Sequence, residues 1–197
     1  MIKVLHYYVK ILCFLHTNFQ ELPDRANLVL ESLAGGYVVP TGLALAILIY
    51  WFEGPTAADR LANQRVVLRG LVAALAAWGI AALSGLAWRQ GLADPELAQA
   101  FSDWMCWQGL PSTSMAAAVG FALGATLWRG DWRWGLGISL ATGLWAGTQV
   151  CCGYHYAMDV VVGTVLGAGL GWLLGLADWL DRPLDALIRL ARRLTLA

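Results

Sequence analysis

His155 and Asp159 have the residue types and spacing to carry chemistry in this chain. Positions i and i+4 of a helix share a face. A carboxylate one turn from an imidazole accepts one ring N–H and fixes the tautomer. The other nitrogen is then left to react. The pair stands at the mouth of an apolar stretch, where a charged group is costly and usually has a task. The competing reading is a helix-end ion pair at the lipid headgroups, and spacing alone weighs the two about equally. A second polar cluster, Gly109-Leu110-Pro111-Ser112-Thr113-Ser114, opens another apolar stretch. Proline ahead of hydroxyl residues starts a helix whose first N–H groups point outward, and such an end binds anions, phosphate in particular. A plain Ser/Thr N-cap uses the same residues and is the commoner case. What favours the anion site is its pairing with His155 and Asp159 on the same side of a membrane.

That these clusters belong to a membrane protein follows from composition. Apolar residues are 59% of the chain and charged residues 13%, against about 25% charged in a typical soluble domain. Net charge is zero, so no broad attraction to nucleic acid is implied. Glycine (22) and tryptophan (11) are abundant; the first lets membrane helices approach closely, the second favours the interface. The fold class is all-α, an integral membrane bundle of five or six spans. Five apolar stretches, near 34–52, 66–88, 111–128, 134–151 and 157–177, are long enough to cross. Residues 1–20, apolar but broken by Lys3, His6, Lys10 and His16, read as an interfacial helix, with a sixth span as the alternative. Residues 34–177 form the transmembrane core and 178–197 an amphipathic tail helix. No cleavable signal is evident at the N-terminus.

Loop charges orient the bundle. A loop at 53–69 carries Arg60, Arg65 and Arg69, a loop at 129–133 carries Arg129 and Arg133, and the tail adds Arg182, Arg189, Arg192 and Arg193. All nine fall on one side, and the positive-inside rule puts that side in the cytoplasm. The loop at 89–110 has Arg89 against Asp94, Glu96 and Asp103 and faces outward with His155. Trp104, Trp107, Trp132 and Trp134 read as belt residues, and Trp145 as packing, with the lining of a lipid cleft as the alternative. Gly120, Gly124, Gly143 and Gly147 read as helix contacts. Cys13, Cys106, Cys151 and Cys152 make no metal pattern and read as small buried residues, with a Cys106–Cys151 or Cys106–Cys152 bridge as the alternative.

The order of spans and the segment Thr148-Gln149, five residues, His155, three residues, Asp159 resemble the type-2 phosphatidic acid phosphatase superfamily. The likeness covers nearly the whole chain and is greatest to the small bacterial undecaprenyl-diphosphatases. It implies a multi-pass protein of the bacterial plasma membrane, its site facing the periplasm, acting on a polyprenyl or other lipid phosphate or diphosphate. By that resemblance His155 takes the phosphoryl group as a phosphohistidine and Asp159 orients it, which is nucleophilic catalysis by an activated side chain. Ser112, with the backbone N–H groups of Thr113 and Ser114, would cradle phosphate oxygens. Arg89 stands where the first-motif lysine does, and Gln149 where the third-motif arginine does. No metal or other cofactor is implied, because fixed charges stabilise the transferring group.

The departures from the family pattern bear on chemistry. The second motif, Pro-Ser-Gly-His or Pro-Ser-Asp-His in the family, reads Pro111-Ser112-Thr113-Ser114, so the histidine that protonates the leaving group is replaced by Ser114. A serine does not do that work near neutral pH, and losing a general acid costs about 10²–10⁴-fold. Gln149 carries no charge, and Asp94 stands in place of the first-motif arginine. Three functions stay open: a phosphatase with altered or weak chemistry, a lipid phosphotransferase, and a catalytically inactive protein that binds or moves a lipid phosphate.

Overall fold

The computed structural model describes residue 32 and residues 37–89, 112–152 and 157–193. All regular structure among them is helical: α1 (Val38–Phe52), α2 (Ala57–Arg89), α3 (Ser112–Gly130), α4 (Trp132–Cys151), α5 (Ala157–Gly175), a 3₁₀ turn at Asp178–Leu180, and α6 (Asp181–Arg193). The all-α expectation holds, and each helix from α1 to α5 overlaps one predicted apolar stretch. The interfacial helix expected at 1–20 lies outside the described residues.

The expected loop at 53–69 is not a loop: only 53–56 connect α1 to α2, and Arg60, Arg65 and Arg69 stand on the helix. The reason is local. Thr56 and Asp59 form a reciprocal capping box. The Thr56 N–H donates to Asp59 Oδ2 at 3.2 Å, and the Asp59 N–H donates to Thr56 Oγ1 at 3.2 Å. That satisfies first-turn donors which would otherwise fray the helix. The turn before it passes through Gly54 at φ 131°, a conformation that glycine alone adopts without strain. The connection from α3 to α4 is tighter still: Asp131 alone separates the helices and accepts from the Arg133 N–H at 2.9 Å as an N-cap.

α3 is the central helix, packed on α2, α4 and α5. Small residues line these seams. Ala73, Ala77 and Ala81 of α2, four residues apart, and Ala122 of α3 are each 0% exposed. A Cβ on Gly171 would fall onto the backbone of Ala122, one on Gly135 onto the backbone of Trp128, and one on Gly124 onto Ser139. Buried hydroxyls are satisfied by their own helix: Thr126 Oγ1 donates to the Ala122 carbonyl and Thr142 Oγ1 to the Ile138 carbonyl, each at 2.8 Å. Of the four glycines expected at contacts, Gly124 makes a close one, Gly143 an ordinary one with Phe121 at 3.7 Å, and Gly147 has open space around it, while the surroundings of Gly120 lie outside what is described. Gly135 and Gly171 carry the rest.

Beside a core that also holds Tyr50, Leu123, Leu127 and Ile138, many large apolar residues face outward. Leu75, Leu144 and Val165 are 67%, 73% and 69% exposed. So much exposed leucine and valine on α1, α2, α4, α5 and α6 is more than the surface of a water-soluble bundle carries. Residues Ala57–Ser84 of α2 form one helix long and apolar enough to cross a membrane, with only 33% of its apolar window buried. α5 and α6 pass the same test only as a pair, bent by 69° where they meet. By length and composition, then, one or two of the described helices qualify as spans, a coarser result than the five or six expected.

Candidate functional site

Helix directions gather the sequence-predicted residues at one end. α3 and α4 are antiparallel, and two contacts fix their register: position 124 meets Ser139, and Trp128 meets position 135. Continuing that register brings Ser112 and Ser114, in the first turn of α3, level with the last turn of α4, where Gln149 stands. α5 runs parallel to α3, since Ala122 lies against position 171 and Arg129 against position 175. The first turn of α5, with Asp159, is therefore at the same end. α2 is antiparallel to α3, with position 70 against Leu123 and Val66 against position 130. Its last residue, Arg89, extends beyond the level of Ser112. Ser112, Thr113, Ser114, Gln149, Asp159 and Arg89 thus come from four helix ends on one side of the bundle. His155 lies outside the described residues.

Burial separates these positions. Asp159 is 4% exposed, and among the described residues no other charged side chain is buried. Gln149 is 8% exposed. Both have polar partners. A carboxylate inside an apolar bundle carries a desolvation cost of several kcal/mol, so it persists only where something compensates it. The helix end helps, because the first turn of α5 presents positive backbone dipole to an anion. At the end of α4, Cys152 donates its N–H to the Thr148 carbonyl at 2.9 Å, and Thr148 Oγ1 donates to the Trp145 carbonyl at 2.7 Å. These bonds hold Gln149 on a regular, rigid last turn. Cys151 and Cys152 are partly buried at the end of α4, and Cys106, the partner in either alternative bridge, lies outside the described residues.

Trp145, read from sequence as packing, has an additional property. Its indole Nε1 is buried with no hydrogen-bond partner, one turn before Gln149 on the same face of α4. Periodicity shows that a tryptophan is inward; it cannot show that its N–H is unsatisfied. Among the described residues no three His, Cys, Asp or Glu side chains come together as a metal site.

The opposite end holds a second polar cluster that sequence reasoning missed. Arg65 meets Asp185 through two bonds, Nε to Oδ1 at 2.6 Å and Nη2 to Oδ2 at 2.8 Å. Arg69 donates to the Gly175 carbonyl at 3.0 Å, pairs with Asp181, and lies 4.0 Å from Asp178. A signal was present: arginines four apart on α2 face aspartates four apart on α6. Nothing in one strand of sequence says that those two stripes meet. Comparison of the chain with models of known protein families, with curated proteins and with solved structures finds no match.

Proposed function

We propose that this chain is a membrane lipid phosphatase-like protein of the type-2 phosphatidic acid phosphatase kind, acting on a polyprenyl or other lipid diphosphate through His155 and Asp159. The observation that carries the reading is Asp159, a carboxylate kept 4% exposed in the first turn of an apolar helix, at the bundle end that also holds the first turn of α3. Buried ionisable groups in apolar bundles mark functional sites by default. In this reading α1 to α5 cross the bilayer, and the exposed leucines and valines face acyl chains. The basic end is cytoplasmic and the Asp159 end faces outward.

The chemistry runs in two steps. A ring nitrogen of His155 bonds to the terminal phosphorus as the bond to the bridging oxygen breaks, and the electron pair leaves on the lipid monophosphate. Water then attacks the phosphohistidine, releasing inorganic phosphate and returning the nitrogen lone pair. Asp159 stabilises the cationic ring between the steps. The leaving group decides which substrates survive the loss of the second-motif histidine. A lipid phosphate leaves as a stabilised anion and needs little protonation, whereas an alcohol leaving from a monophosphate needs a general acid. Ser114 cannot supply it, so the diphosphate is the substrate class this site favours.

The test is phosphate release from undecaprenyl diphosphate by purified protein in detergent, beside His155→Ala and Asp159→Asn. His155→Ala should abolish release, and Asp159→Asn should cut it about 10²-fold or more, with helical content unchanged. The second reading, a lipid-phosphate binder or carrier without turnover, is favoured by Ser114, Gln149 and Asp94 standing where the family has charged or acid-base residues. Equal background release from all three proteins, with lipid retained, would select it.

A further inference from the structure

The C-terminal helix α6 divides its surface into flanks with separate destinations. Leu184 and Ile188 of α6, with Leu180 at the end of the 3₁₀ turn before it, stand four residues apart, are 5%, 1% and 6% exposed, and seat on the bundle. To one side of that seam, Asp181 and Asp185 are held by Arg69 and Arg65 of α2. To the other side, Leu187 and Leu190 are 48% and 53% exposed. On the back, two turns apart, Arg182 and Arg189 are exposed and have no ion pair among the described residues. A helix free in water would not set leucines outward beside a satisfied acidic flank. One lying at a membrane surface needs that order: an apolar flank toward acyl chains and a basic back at the headgroups. The exposed apolar flank does not stop at α6. It runs back through Trp179, Leu176 and Leu173, at 70%, 48% and 65% exposure, around the 69° bend onto α5. The two aspartates of α6 that flank the seam, Asp181 and Asp185, which would repel an anionic surface, are paired with α2.

We propose that α6 lies in the headgroup layer of the leaflet at this end of the bundle and binds anionic phospholipids. Leu187 and Leu190 sit among acyl chains, and Arg182 and Arg189 sit against lipid phosphates. The Arg65 and Arg69 bridges hold the helix at the bend, so that lipid charge sensed by α6 stabilises the α2–α5 frame. This rests on the bilayer reading of the bundle and not on its phosphoryl chemistry.

The experiment is thermal unfolding of the full chain in nanodiscs of phosphatidylcholine alone and in nanodiscs one third phosphatidylglycerol. Wild-type Tm should rise by about 3–6 °C with the anionic lipid at low salt and lose most of that rise at 1 M salt, where the screening length is about 3 Å. The Arg182→Gln/Arg189→Gln double variant should keep the wild-type Tm in phosphatidylcholine and lose the rise. Leu187→Gln, which spoils the apolar flank alone, should lower Tm in both lipids. A rise of the same size in the double variant, or no rise in the wild type, overturns the proposal and points to a soluble acidic partner for the arginines. Failure of the protein to stay with the nanodisc overturns the bilayer placement itself, whereas loss of phosphatase activity moves neither result.

Discussion

At the residue scale, what is missing from a side chain matters as much as what is present. Gly171 lets α5 lie on α3 so closely that a Cβ would meet the Ala122 carbonyl oxygen and Cα, both of them backbone atoms. Backbone cannot rotate aside, so Gly171→Ala should separate the helices and cost about 1–3 kcal/mol, the usual range for overpacking. Gly137, in the middle of α4, has nothing within 4 Å of its would-be Cβ. There alanine should be neutral or should stabilise by about 0.4–1 kcal/mol, because it lowers the entropy of the unfolded chain. Unfolding of the two variants in one detergent compares them directly, and similar effects would sink the close-approach account. The same scale governs Asp159. Its carboxylate was legible from sequence as a partner at i+4 to His155; its depth was not, since a residue at a span end can face either headgroups or the bundle. Gln149 was legible by position in a motif and turns out nearly as buried, which an exposed headgroup ligand would not be.

Elements were legible where apolar runs set their length, and illegible where polar residues were satisfied by a distant segment. α3, α4 and α5 begin and end within two residues of their predicted spans. α2 does not, beginning at Ala57 because Thr56 and Asp59 cap it and because α6 supplies counter-charges for Arg65 and Arg69. The two bridges should differ in weight. Arg65 and Asp185 are 38% and 26% exposed at the side chain, and solvent screens such a pair. A double-mutant cycle with Arg65→Ala and Asp185→Ala should give a coupling of about 0.5–1 kcal/mol that shrinks with added salt. Arg69 is 16% exposed and also donates to the last carbonyl of α5 at the bend. Arg69→Ala leaves the Gly175 carbonyl and Asp181 without their partner, and should cost about 2–3 kcal/mol. Measured by unfolding in a common detergent, a smaller loss for Arg69→Ala than for Arg65→Ala would show that the bend is not held from α2.

At the scale of the whole molecule, three connections lie at the basic end: 53–56 between α1 and α2, Asp131 between α3 and α4, and the bend between Gly175 and Asp181. Their common level follows from the register that sets Val66 and Tyr50 against position 130 and Arg129 against position 175. In the proposed arrangement all three face the cytoplasm, so topology can be read from one side of a membrane. Thr56, Asp131 and Asp178 would each be changed singly to cysteine in a chain whose own Cys13, Cys106, Cys151 and Cys152 are replaced by serine. In intact cells an impermeant maleimide should leave all three unlabelled, and permeabilised cells should label them. The outcomes separate two claims that share the same helices. Labelling of all three from outside would keep the bundle and reverse its orientation, since loop arginines bias insertion but do not dictate it. Labelling of one and not the others would break the bundle itself, because helices packed in this register cannot put these three turns on opposite faces of a bilayer.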